Sequence, residues 1–366
     1  MALVNIKGRF LSIWRTKNMK KWAVVLSAAT LAFGSHHIMA KEGNTVYLYT
    51  WSEYVPEGLL DDFTKQTGIK VIVSSLESNE TMYAKLKTMG KNQSYDVIAP
   101  TSYFVSKMAR EGMLKELDHS KLPVLSELDP QMLDRPFDKG NKYSVPQLFG
   151  ATGIAYNTET QDPANFQAWA DLWKPEFKDT LQLLDDPREA FNIALLKMGQ
   201  DPNTQDPSIL KAAYEELLKL RPNILAFNSD NPSSSFISDE VEIGTLWNGS
   251  VRIAKNEGAK INMVYPKEGT PLWIDNLAIP ATSQNPEGAY KLINYMLSAP
   301  VAAKLTKAIG YPTANKLALA QLPKDLVEDP AVFIRSEVIE KSPWQVNVGD
   351  AIELYEKYYQ DLKTAK

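Results

Sequence analysis

A β-forming run, a helical run and a second β-forming run follow one another within about 30 residues near the start of this chain, and that spacing leaves few folds open. Val46-Tyr47-Leu48-Tyr49-Thr50 alternates and is rich in β-formers. Pro56 then opens a segment whose Leu59, Leu60 and Phe63 share one helical face, Gly68 closes it, and residues 69–73 are again strand-like. Strand, helix and strand at this distance make a βαβ crossover, which pairs the strands in parallel and turns the loops at their carboxyl ends towards ligand. Trp51 and Tyr54 stand at such an end.

The pattern recurs. Residues 80–87 read as a helix and 95–99 as a strand, and Pro100-Thr101-Ser102-Tyr103 turns into a helix carrying Val105, Met108 and Ala109. Residues 114–141 are a turn-rich surface connection punctuated by Pro123, Pro130, Pro136 and Gly140. A chain of 366 residues exceeds one ordinary core and suits two lobes of roughly 150 residues each. The extended segment 143–156 is the expected crossing into the second lobe, and the apolar run 272–280 the expected return. Between them, strands are expected at 181–184, 223–227, 241–246 and 261–265, with helices at 209–220 and 251–256. Helices at 286–298 and 300–309 follow, and the amphipathic segment 350–363, lined on one side by Ile352, Tyr355 and Tyr359, closes the chain.

Residues 1–40 have the layout of a removable signal peptide. Lys20-Lys21 precede an apolar run from Trp22 to Gly34, and Ile38-Met39-Ala40 ends on a small residue. Both Met1 and Met19 could start it. Six of the chain's 40 basic residues and none of its 44 acidic ones precede Lys41, so residues 41–366 carry a formal charge of −10. Such a field disfavours nucleic acid and anionic membranes and attracts small cations. The chain has no cysteine, hence no disulfide framework and no lipid-bearing thiol, which suits a freely diffusing, monomeric periplasmic product. Two of its three histidines lie in the leader; His119 alone offers little for a His-based metal site or a Ser-His-Asp triad, and neither cofactor nor metal is expected.

The stretch Leu183-Leu184-Asp185-Asp186-Pro187-Arg188-Glu189-Ala190-Phe191 concentrates charge at a strand-to-helix turn. Pro187 suits the first helical position, Asp186 before it is a natural N-cap, and Glu189, three residues on, projects from the same helix start. Taken alone this is a well-capped helix. Its significance comes from aromatic residues at other predicted strand ends, Trp51, Tyr54, Tyr103, Trp247 and Trp273, and from a third carboxylate, Asp275. Rings and carboxylates in combination suit a slender organic cation. Ammonium groups need charge-assisted hydrogen bonds, the methylenes between them need flat apolar walls, and a cation over an aromatic face gains about 0.5 to 2 kcal/mol. Because buried carboxylates without a cation are costly, such a pocket is expected to be open and wet without ligand.

Trp51-Ser52-Glu53-Tyr54, Ser78-Asn79-Glu80-Thr81-Met82-Tyr83-Ala84-Lys85, Leu246-Trp247-Asn248-Gly249-Ser250, Trp273-Ile274-Asp275 and Ile309-Gly310-Tyr311-Pro312-Thr313 resemble the spermidine/putrescine-binding proteins of bacterial polyamine ABC importers. The resemblance runs in order from about Asn44 to Lys363. It implies an α/β, two-lobed periplasmic binding fold of type II, each lobe a mixed sheet flanked by helices, with lobe 1 from 41–149 and 275–319 and lobe 2 from 150–274 and 320–366. It further implies that Trp51, Tyr54, Tyr103, Trp247 and Trp273 wall the ligand's hydrocarbon, that Asp186 and Glu189 hold one amino end and Asp275 an amine further along, that Ser52 and Thr101 supply hydroxyls, and that Gln345 contacts a terminal amine. A membrane permease is the implied partner.

Three other readings compete. Glycoside hydrolysis needs carboxylates on opposite sides of the scissile bond, whereas Asp186 and Glu189 share one helix start, so no enzyme is expected. A protein of the same fold could bind another small cationic or polar solute; Tyr358-Tyr359 could mark an iron ligand pair or, alternatively, one inward and one outward residue. A polyamine sensor is the third.

Overall fold

The computed structural model describes residues 44–76, 78–89 and 94–365; the expected leader, residues 1–40, lies outside the described residues. Strand β1 (Thr45–Trp51) leads through helix α1 (Asp61–Thr67) into β2 (Lys70–Leu76), and the two strands pair in parallel along their whole length, as the crossover spacing requires. Helix α1 starts at Asp61, not at Pro56. Gly58 adopts φ 72°, a left-handed conformation no helix tolerates, so turns precede Asp61, while Leu59 and Phe63 still reach the core. Helix α2 (Asn79–Thr88) opens on a reciprocal cap in which Thr81 N–H donates to Ser78 Oγ and Ser78 N–H donates to Thr81 Oγ1, both at 3.1 Å. Strand β3 spans only Val97–Ile98, shorter than expected, and lies parallel to β1; helix α3 (Ser102–Arg110) follows it.

After a series of short 3-10 turns, β4 (Ser144–Asn157) runs fully extended. Next come β5 (Leu181–Leu183), α4 (Pro187–Lys197), α5 (Pro207–Leu220), β6 (Ile224–Phe227), α6 (Ser234–Ile237), β7 (Ile243–Trp247), α7 (Asn248–Asn256), β8 (Ile261–Val264) and β9 (Leu272–Ala278). The remaining helices are α8 (Pro286–Leu297), α9 (Ala299–Ile309), α10 (Lys324–Val327), α11 (Ser336–Lys341) and α12 (Ile352–Thr364).

Strand β4 joins two sheets. Its first part, from Ser144 to Ala151, pairs antiparallel with β9, whose other neighbour is β3; its second part, from Thr152 to Asn157, pairs antiparallel with β7 and β8. The full order is β2-β1-β3-β9-β4-β7-β5-β6, with β8 beside β4. Each half therefore mixes parallel crossover strands with antiparallel ones. One hydrophobic core gathers Val46, Leu48, Phe63, Ile98 and Val105 with Ile274, Leu277 and Ile293 from late in the chain; a second gathers Ile154, Leu181, Phe191, Leu195 and Leu217 with Tyr355 and Leu362 of α12. At roughly 1.5 to 3 kcal/mol for each fully buried large apolar side chain, either set is ample for a lobe. The molecule is a two-lobed α/β fold, and both βα edges open on one cleft.

Helix α4 is buried along nearly its whole length, from Arg188 to Leu196. Arg188 is 1% exposed, donating from Nη1 to Val346 O at 3.0 Å and from Nη2 to Asn203 Oδ1 at 2.8 Å, which clamps the start of α4 against the chain entering α12. In α12, Tyr359 is buried with its hydroxyl donating to Asp185 Oδ1 at 2.7 Å, while Tyr358 stacks on Tyr214 at 4.9 Å. The two tyrosines take different partners, one inward and one outward.

Candidate functional site

Strand β1 ends at Trp51, and the 3-10 turn Ser52–Tyr54 that follows swings Tyr54 back beneath the strand ends, where it is 4% exposed. Its hydroxyl donates to Asp275 Oδ2 at 2.5 Å. The other oxygen of Asp275 accepts from Thr101 Oγ1 at 2.6 Å, at the turn into α3. Strand β9 supplies Asp275 because its register with β4 sets Asp275 opposite Leu148 and Trp273 opposite Gly150. That glycine is required: a Cβ on Gly150 would lie 2.3 Å from Cζ2 of Trp273. Gly249 is equally constrained, since its Cβ would fall 2.4 Å from the Tyr311 ring, whose edge meets Trp273 at 5.2 Å and 68°.

On the facing lobe, Asp186 caps α4 as its sequence position requires, accepting from Glu189 N–H at 3.0 Å. Glu189 turns inward. Its oxygens accept from Thr152 Oγ1 at 2.7 Å and from Gln345 Nε2 at 2.9 Å. Gln345 is held in turn by its own backbone, its N–H donating to Leu272 O at 2.7 Å and its carbonyl accepting from Ser102 Oγ at 2.9 Å. The last bond joins the start of α3 to the chain leading into α12, so the cleft is bridged along one side.

Trp51, Ser52, Tyr54, Thr101, Tyr103, Asp186, Glu189, Trp247, Trp273, Asp275 and Gln345 all line one cavity of about 490 Å³. The geometry brings every residue singled out in the sequence to the same space. It also brings others that pattern reading missed, notably Glu53, Asn79, Asp230, Ser250 and Tyr311. Glu53, Asn79, Ser250 and Tyr311 lie inside the motifs quoted above, so their signal was proximity to residues already chosen. Asn79 Nδ2 donates to Thr101 Oγ1 at 2.9 Å and to Tyr103 Oη at 3.1 Å, fixing both on the cleft wall. Among the described residues, no group of three or more His, Cys, Asp or Glu is placed to hold a metal ion.

Asp275 and Glu189 are only 4% and 6% exposed, while Asp186 keeps part of its surface on the cavity. Burial therefore pushes the Asp275 carboxyl up to about 6, against the downward pull of its Thr101 and Tyr54 donors. Glu189 rises to about 7, first through burial and then through the negative charge of Asp186, with Thr152 and Gln345 opposing. Burial also raises Asp186, opposed by the backbone N–H donors of α4 and by the Arg188 charge, and it raises Glu53. These carboxylates resist ionising together when buried, and a bound cation would reverse that preference. Aromatic walls between them complete a site with the chemistry of an extended polycation.

A two-lobed fold with such a cleft defines an extracellular solute-binding protein. The model of the bacterial extracellular solute-binding protein family matches residues 58–334. The chain is 71% identical over 327 residues to spermidine/putrescine-binding periplasmic protein 1 of Haemophilus influenzae, covering 89% of this chain and 91% of that one. It is 50% identical over 349 residues to the spermidine/putrescine-binding periplasmic protein of Escherichia coli, covering 95% and 100%. It also superposes with a TM-score of 0.74 and 33% identity on the spermidine/putrescine ABC transporter substrate-binding protein of Streptococcus pneumoniae, covering 87% and 100%. The chain belongs to the family of spermidine/putrescine-binding periplasmic proteins.

Proposed function

We propose that this protein captures polyamines, spermidine or putrescine, in the periplasm and delivers them to the membrane permease of an ABC importer. The observation that carries the reading is the set of carboxylates buried between aromatic walls in one cavity whose lining, among the described residues, has no Lys or Arg. Asp186 and Glu189 hold one amino end, Asp275 an amine further along and Gln345 a terminal amine, while Trp51, Tyr54, Tyr103, Trp247 and Trp273 pack on the methylenes and Ser52 and Thr101 add hydroxyls.

The lobes divide at β4 and β9, with lobe 1 from 41–149 and 275–319 and lobe 2 from 150–274 and 320–366; the separate cores and the two-part pairing of β4 support that division. Carboxylates and rings from both lobes touch one ligand only when the cleft is shut, so ligand favours the closed form, and the closed form is what the permease engages. The protein acts as an exported monomer, its leader removed, without catalysis: Asp186 and Glu189 share one helix start and cannot flank a scissile bond.

Titration calorimetry tests this on protein lacking residues 1–40, stripped of carried-over ligand by unfolding and refolding, with spermidine, putrescine, spermine and cadaverine. Binding of at least one polyamine that Asp275→Asn abolishes is expected. A refolded wild-type protein that binds none of the four contradicts the proposal.

A further inference from the structure

Behind the ring of Tyr103 lies a second cavity of about 200 Å³, bounded by Glu80, Tyr103 and Lys107 from one lobe and by Arg188, Ile352 and Glu356 from the other. The first turn of α2 spans the two spaces, with Asn79 in the main cleft and Glu80 in the side cavity. Both basic groups there have other partners. Lys107 Nζ donates to Glu111 Oε1 at 2.9 Å and lies 4.7 Å from the Tyr83 ring centre, and Arg188 is committed to Val346 O and Asn203 Oδ1. Neither Lys107 nor Arg188 forms an ion pair with Glu80 among the described residues.

The charges that act on Glu80 are therefore mostly negative. Asp186, at the cap of α4, is the strongest, Glu356 of α12 adds to it, and Ser78 opposes them through its hydroxyl. Tyr103 stands between, its own hydroxyl pushed up by burial and by both Glu80 and Asp186. Tyr103 lines both cavities, so one ring separates the space that Glu80 borders from the cleft that Asp186 lines.

We infer that Glu80 is a positioning residue for amine recognition: carried by lobe 1, it adds a third negative charge to the Asp186–Glu189 end carried by lobe 2. The inference rests on the polyamine reading above. Without ligand, Glu80 and Asp186 oppose closure of the lobes; an ammonium group at Asp186 is attracted from both sides and removes that opposition. Glu80 thus couples capture at one end of the cleft to closure without touching the ligand's hydrocarbon. Burial and the Asp186 charge hold Glu80 at about 7, so ligand binding near neutral pH also expels a proton from it.

The test is calorimetric titration of spermidine into wild type, Glu80→Gln and Glu80→Asp between pH 5.5 and 8, in pairs of buffers with different ionisation heats. The Gln variant is expected to bind about fivefold more weakly at pH 8, the order for one charge at the edge of a partly hydrated cleft. It is also expected to release fewer protons near pH 7, and its deficit should vanish by pH 5.5, where wild-type Glu80 is already neutral. The Asp variant, which keeps the charge, should restore the proton count. Wild-type affinity and proton release in the Gln variant would overturn the inference, as would equal weakening of both variants at every pH, the mark of a purely structural role. Failure of the wild type to bind any polyamine would instead remove the functional reading on which the inference stands.

Discussion

At one end of the cleft Asp275 sits between two hydroxyl donors, each spending its hydrogen on a different oxygen, with Glu53 beside Tyr54 on the same cavity. At the other, Asp186 and Glu189 share the start of α4, and Glu189 draws on one hydroxyl and one amide. The first end is built by long-range pairing, since β9 must find β4 in the register that leaves Asp275 beside Thr101 and Tyr54. The second is built locally, by a cap and the helix it opens. Their electrostatics differ accordingly. Asp275 is raised mainly by burial, and its donors restrain the rise to about 6; Glu189 suffers both burial and a like-charged neighbour and reaches about 7. A well-donated carboxylate stays ready to receive a cation, whereas a crowded pair on one helix start holds a proton that the cation must displace.

The comparison is broken most directly by Asp275→Asn. It removes the carboxylate that Tyr54 and Thr101 hold, and calorimetry should show polyamine affinity falling at least about a hundredfold, the order for stranding a buried charge. Loss of less than about tenfold would mean that Asp275 holds Tyr54 and Thr101 in place and no more.

Acid should act on both ends in sequence. As pH falls, Glu189 protonates near 7 and Asp275 near 6 while the ligand's amines stay charged, so affinity is full above about pH 7 and lost below it. Proton competition at those two groups amounts to about a hundredfold between pH 8 and 5.5, measurable by the same titration.

Glu189→Gln sharpens the contrast. Asp186 remains to hold an amine, so the loss should be nearer tenfold, and the acid limb of the profile should become shallower, because one of the groups that titrate near 7 is gone. The smallest effect is on the ligand-free fold. These raised carboxylates contribute stability that is present in acid and lost as pH rises through about 7, because the folded chain keeps protons that the unfolded chain has released. Melting of the refolded, ligand-free protein should therefore shift upward by about 3 °C from pH 8 to 5.5, opposite in sign to the change in affinity.

How far the sequence led follows the same division. The Asp186 end was legible because Asp-Pro-Arg-Glu carries its own geometry: a cap, a preset φ and a second carboxylate three residues on. The aromatic strand ends were legible because a βαβ crossover fixes where its loops point. The contact of Tyr54 and Thr101 with Asp275 was not, since it joins residues 221 and 174 positions apart. Nor was Asp230, which reaches the cleft from a loop with no periodic signal. The late start of α1 depends on the left-handed φ of Gly58, which Pro56 and the apolar spacing concealed. The donors to the cleft carboxylates were not legible either: Thr152 and Gln345 reach Glu189 from positions 37 and 156 residues away.

A crystal structure of the protein with spermidine, grown at pH 8, decides whether this cleft is the polyamine site: one amino nitrogen is expected within hydrogen-bonding reach of Asp186 and Glu189, another at Asp275, and the methylenes between them against Trp51, Trp247 and Trp273. Ligand nitrogens placed away from all three carboxylates, or spermidine bound outside this cleft, would contradict that assignment.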